Sequence, residues 1–146
     1  MGDKVQGVVV PKWFLAVAVI AVLWNVLGLM AFVAQMMMTD AQMAELPTDQ
    51  RTLFENMPMW VKVTFAVAVF AGTIGSVGLV MRQKWAMPVL LLSLFGVIGQ
   101  QTYMFFLSNT IEVMGAANMV LPILVLIVAI ALVWFSRRAI SEGWLA

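Results

Sequence analysis

Four long apolar runs divide this chain. The first goes from Trp13 to about Met38, the second from Trp60 to Met81, the third from Ala86 to Leu107 and the fourth from Ala116 to Phe135. A helix needs about 20 apolar residues to cross the hydrocarbon core of a bilayer, about 30 Å thick, and each run meets that length. None contains Asp, Glu or Arg, and Lys62 lies only two residues inside the second. The pattern predicts an all-α fold, an integral membrane bundle of four transmembrane helices in one domain covering 1–146. The loop 39–59 is the longest connection. Pro47 and Thr48 before Asp49, Gln50 and Arg51 make a helix start there. The loop therefore carries a short amphipathic helix, with Leu53, Phe54 and Met57 toward the membrane and Pro58 ending it. It is either a lid closing the bundle or a gate or docking surface.

Composition agrees with the pattern. Of 146 residues, 64% are hydrophobic and 10% charged, against roughly 25% charged in a soluble domain. There is no Cys and no His. That excludes disulfides, thiol chemistry, His-ligated haem and the usual zinc sites, so no cofactor and no metal are expected. It also removes the commonest general base, and no nucleophile–base pair or pair of intramembrane carboxylates is present, so the chain reads as non-enzymatic. Thirteen Met residues, including Met36, Met37 and Met38, lack Cys or His partners and read as flexible filler rather than a Cu(I) site. The net charge of +1 gives no case for nucleic acid.

The few charges set an orientation. Lys4, Lys12, Arg82, Lys84, Arg137 and Arg138 fall on one side of a four-span protein, leaving Arg51 and Lys62 on the other. The positive-inside rule makes both termini cytoplasmic and the 39–59 loop external, in an inner membrane. Trp13, Trp85 and Trp134 then lie at the cytoplasmic interface and Trp60 at the outer one. Trp24 falls mid-span. The first run exceeds the apolar core of a signal peptide and no small-x-small site follows it, so an uncleaved helix is expected.

Polar side chains inside the spans carry the specific information. Asn25, Gly28, Phe32 and Gln35 share one face of the first span. Ser93, Gly96, Gln100, Tyr103 and Leu107 share one face of the third, with Gln101 beside them. Asn25 lies about 18 Å and Gln100 about 21 Å from the inner end, so the two stripes are level. They are either hydrogen bonds that fix helix register or a neutral polar site for an uncharged solute or lipid headgroup, built from Trp24, Asn25, Gln35, Ser93, Gln100, Gln101 and Tyr103. In the second span Ala68, Ala71, Gly72, Gly75, Ser76 and Gly78 make small-xxx-small patterns that admit a neighbouring helix, and Gly28 and Gly96 do the same on the first and third spans. The fourth span is apolar all round. Asn118 is placed to cap it and Pro122 falls in its first turn. It shows no pathway and is read as facing lipid or another subunit.

The residues also carry a resemblance. Leu23-Trp24-Asn25 with Gly28, Phe32 and Gln35 comes first, then Pro58-Met59-Trp60, then Phe65-Ala66-Val67-Ala68-Val69-Phe70 with Gly72 and Gly75. Arg82 to Trp85-Ala86, Ser93-Leu94, Gln100, Tyr103 and the tail from Trp134 to Trp144 follow. Together, over nearly the whole chain, these resemble a family of small bacterial four-helix membrane proteins that often carry the label "sugar transporter" or no functional label. The resemblance implies an α-helical bacterial inner-membrane protein.

Two functions are expected. One is an accessory or oligomer-forming subunit that packs with other membrane helices, as a homo-oligomer or in a larger complex, with membrane lipid as its surroundings. The other is a permease for a neutral, sugar-like small molecule. Proton- or ion-coupled transport is not expected, because no span holds Asp, Glu or His.

Overall fold

The computed structural model describes residues 9–145, which are mostly helical, with no strand among them. α1 spans Lys12–Met36, α2 Asp40–Ala44, α3 Thr48–Glu55, α4 Met59–Val80 and α5 Ala86–Thr102. α5 runs on as a π-helical turn, Tyr103–Leu107. α6 (Thr110–Met114) and a 3₁₀ turn, Ala116–Met119, lead into α7 (Val120–Ser141). Four of these helical stretches are long and apolar enough to cross a membrane, as in a multi-pass membrane protein. Lys4 lies outside the described residues.

Boundaries differ from the sequence expectation at two places. α1 stops at Met36 because Met37 takes up the cap, so Met37 and Met38 belong to the loop. α7 continues past Phe135 to Ser141, with Arg137 and Arg138 in its last turns. Basic side chains at a helix C-terminus meet the negative end of its dipole, so charge extends this helix rather than ending it. Asn118 does not cap α7. It sits inside the 3₁₀ turn and donates back to the Met114 carbonyl, and Met119 is the cap residue. The outer loop holds two helices. α3 starts after Pro47 as expected, and α2 ahead of it is fixed by a capping box in which Thr39 and Gln42 bond each other's backbone N–H.

The chain folds as an antiparallel bundle in which α1 packs on α4, α4 on α5 and α5 on α7. α4 is central. Of its most apolar stretch 44% is buried, against 11% for α1. Lipid tails solvate apolar side chains as well as protein does, so spans associate through close packing rather than through hydrophobic burial. Small residues supply that closeness. A Cβ on Gly96 would stand 2.8 Å from both the Ala68 N and the Thr64 carbonyl O, so only glycine lets α5 lie against the α4 backbone there. Gly75 and Gly78 make room in the same way for Leu90 and Trp85 of the α4–α5 hairpin.

A buried apolar cluster lies at the end that carries Lys12 and Ser141. Phe14, Leu79, Leu90, Leu132, Phe135, Ala139, Trp144 and Leu145 belong to it. Phe14 stacks on Phe135 at 5.2 Å between centroids and meets Trp144 at 5.5 Å. The tail reaches that cluster because α7 ends in a Schellman turn. Gly143 adopts φ 78°, and the Trp144 N–H bonds to the Ala139 carbonyl at 2.8 Å. α4 ends in the same turn with Arg82 at φ 58° in the glycine position. Arg82 Nε then donates to the Trp144 carbonyl at 3.1 Å, which joins the two turns.

Candidate functional site

Beside that cluster, and sharing Leu90 and Leu132 with it, a cavity of about 420 Å³ lies among all four long helices. Trp24, Asn25, Gly28 and Ala31 line it from α1, Phe65, Ala68 and Val69 from α4. Ser93, Val97, Gln100 and Gln101 contribute from α5, and Pro122, Val125 and Val128 from α7. No charged residue lines it among the described residues. Ligand cavities commonly measure about 300–1,000 Å³ and pair an apolar wall with a few polar groups, which describes this one.

The polar residues differ in how much hydrogen-bonding capacity they have left. Asn25 Nδ2 donates both its protons, one to the Ala21 carbonyl at 2.9 Å and one to Ser76 Oγ at 3.0 Å. Ser93 Oγ donates to the Ala68 carbonyl at 2.6 Å. Gly72 lies between them. A Cβ there would collide with Asn25 Oδ1 and stand 3.0 Å from Ser93 Oγ. Asn25, Ser76 and Ser93, with Gly72 leaving them room, tie α1, α4 and α5 together, and the Asn25 and Ser93 donors are spent on the protein.

Gln100 and Gln101 are different. Among the described residues Gln100 has no side-chain hydrogen bond, although it lines the cavity. Gln101 is 6% exposed, and its Nε2 donates to the Pro122 carbonyl on α7. Its Oε1 is buried with no partner, one of two such side-chain atoms among the described residues; the other is Arg51 Nε in the loop. An unsatisfied buried acceptor costs about 1–3 kcal/mol.

The seven polar residues singled out in the sequence therefore separate. Trp24, Asn25, Ser93, Gln100 and Gln101 line the cavity. Gln35 and Tyr103 do not. Gln35 Nε2 points to Met57 Sδ at 3.8 Å at the loop end, and Tyr103 meets Trp60 edge-to-face at 5.8 Å. Gly96 and Tyr103 are taken up by α4, Gly96 against the Ala68 and Thr64 backbone and Tyr103 against Trp60, whereas Ser93 and Gln100 from the same stripe and Val97, Gln101 and Met104 beside it line the cavity. Of the small residues, Ala68, Ala71, Gly72, Gly75, Ser76, Gly78 and Gly96 are buried between helices. Gly28 is half-buried, and a Cβ there would make an ordinary 3.6 Å contact with Val69.

α7 is where the sequence reading missed most. It forms one wall of the cavity through Leu121, Pro122, Val125, Val128, Ala129 and Leu132. The available signal was weak. Positions 121, 125, 128 and 132 share one helical face, but in a helix that is apolar all round no face stands out.

A second, shallower crevice lies at the loop end between α3 and the π-turn, lined by Asp49, Asn56, Tyr103 and Glu112 among others. No group of three or more potential metal ligands of the His, Cys, Asp or Glu type occurs among the described residues.

The chain matches no family model, no curated protein and no solved structure.

Proposed function

We propose that this protein is a non-enzymatic multi-pass membrane protein that binds a small neutral ligand inside its helix bundle, in the manner of a permease. One observation supports the reading. The cavity is shared by all four spans, has no charged wall among the described residues, and holds the Gln100 side chain without a hydrogen bond and the unpartnered Oε1 of Gln101. Asn25 and Gln100 both line it and form no hydrogen bond with each other, as expected if the level polar stripes serve more than helix register. The charge distribution puts the termini in the cytoplasm and the 39–59 loop outside, in keeping with a bacterial inner-membrane protein of the resembled family.

The test is equilibrium binding of a panel of neutral compounds to the full chain in nanodiscs. Liposome flux is added for those compounds that do not cross lipid unaided. Binding that is lost in a Gln100→Ala, Gln101→Ala double variant with wild-type melting supports the reading. Absence of binding by every compound overturns it.

The second reading, an accessory subunit in a homo-oligomer or larger complex, has its own support. Ile20, Leu23, Leu27 and Met30 form a regular exposed stripe on α1 that suits either lipid or another helix. Recovery of one stoichiometric partner from native membranes, without ligand binding, favours that reading.

A further inference from the structure

Resting on the neutral-ligand reading, the geometry points to a ligand class: we propose that the cavity takes a neutral amphiphile, with one hydroxyl or amide N–H head on a slender hydrocarbon tail, entering from the bilayer between α1 and α7.

The head is defined by what the cavity lacks. Gln101 Oε1 is an acceptor with almost no exposed surface and no partner among the described residues, on a side chain that lines the cavity, so a donor reached by a small turn of the amide would satisfy it. Gln100, beside it and free of side-chain partners among the described residues, can both give and accept. A charged head is excluded because no counter-charge among the described residues lines the cavity and an unpaired ion in an apolar site is strongly disfavoured. A sugar is disfavoured on different grounds. Each hydroxyl without a partner costs about 1–3 kcal/mol, and the Asn25 and Ser93 donors are already committed. Two adjacent amides satisfy one polar head, not five.

The tail follows from the rest of the wall. From Gln101 the cavity extends toward Leu90 and Leu132 past Val97, Val125 and Val128. Eleven residues of α5 separate Gln101 from Leu90, a rise of about 16 Å. That length suits an extended alkyl chain lying along the helices.

The entrance is set by the bundle order. α1 and α7 sit at the two ends of the packing series and are held together by the aromatic cluster at the end with the termini. Leu27 on α1 and Leu121 on α7 line the cavity and yet are 63% and 61% exposed. The cavity wall therefore reaches the lipid-facing surface at that seam, where a membrane-dissolved ligand arrives without crossing water.

The experiment uses the full chain in phosphatidylcholine nanodiscs and a long-chain alcohol with a photoactivatable group in its tail, with labelled residues mapped by mass spectrometry. Saturable labelling is expected at Val97 and Val125. Dodecanol should displace it, dodecane should do so about tenfold less well at equal mole fraction, and glucose should not. Gln101→Leu, which removes the orphan acceptor, should abolish the preference for dodecanol over dodecane while labelling persists. Val125→Trp should fill the cavity and block labelling; Ala129→Leu serves if that variant does not fold. Displacement by glucose but not by dodecanol overturns the amphiphile and leaves the neutral-ligand reading standing. Labelling spread over the lipid-facing surface and unchanged by the filling variant overturns both.

Discussion

Asn25 on α1 donates to Ser76 Oγ on α4 at 3.0 Å, over a gap that exists because residue 72 has no side chain. This pair joins a residue of the polar stripe to a residue of the small-residue face. It places the register of the first two spans on a side-chain hydrogen bond rather than on bulk hydrophobicity. Such bonds within membranes average about 0.6 kcal/mol by double-mutant cycle and reach about 1.7. A cycle of Asn25→Ala and Ser76→Ala should give coupling in that range. Additive losses in thermal stability would show that the two side chains do not share a bond in the folded protein.

Glycine substitutions should separate by what lies above them. A Cβ at Gly96 meets backbone atoms of α4, which no rotamer change relieves. Gly96→Ala is expected to destabilise by about 1–3 kcal/mol. Gly28→Ala makes only an ordinary contact and should stay within about 0.5 kcal/mol of wild type. Melting of the two variants in mild detergent checks this, and equal effects would contradict the close α4–α5 approach.

Arg82 occupies a left-handed position and also bonds the tail carbonyl of Trp144. Replacing it with glycine relieves a strain of about 1–2 kcal/mol while losing a hydrogen bond of about 1.5–3. Replacing it with alanine keeps the strain and loses the bond. The expected order of stability is therefore wild type and Arg82→Gly close together, with Arg82→Ala clearly lower. An Arg82→Ala variant as stable as Arg82→Gly would remove the role of backbone strain at this turn.

Topology is directly measurable. The chain has no cysteine, so a single Cys placed at Gln50 or at Lys84 reports its side without background. On the proposed orientation an impermeant thiol reagent added to intact cells modifies Gln50→Cys and leaves Lys84→Cys untouched. The opposite result reverses the orientation.

The number and rough position of the spans were legible in the sequence because bilayer thickness demands about 20 apolar residues wherever a helix crosses. Charge was legible for a similar reason, since ionised groups are driven to the ends. The small residues of α4 announced a close helix contact, since Gly and Ala are what such a contact requires. What the sequence left open was direction around each helix axis. In water a buried face is marked by its apolarity, but in lipid every face is apolar, so the periodicity of α1 and α7 says little about what they touch. Tertiary structure alone decided that Gly96 and Tyr103 face α4 while Val97 and Gln101 face the cavity. It alone made one face of α7 a wall of the cavity, while Ile123, Ile127 and Ile130 stay exposed toward lipid or another subunit as expected. It also folded Trp144 back onto Phe14 through a turn that Gly143 permits. Aromatic packing at that end joins α1 to the tail of α7, and the cavity these helices share with α4 and α5 leaves Gln101 with an acceptor that no described residue fills.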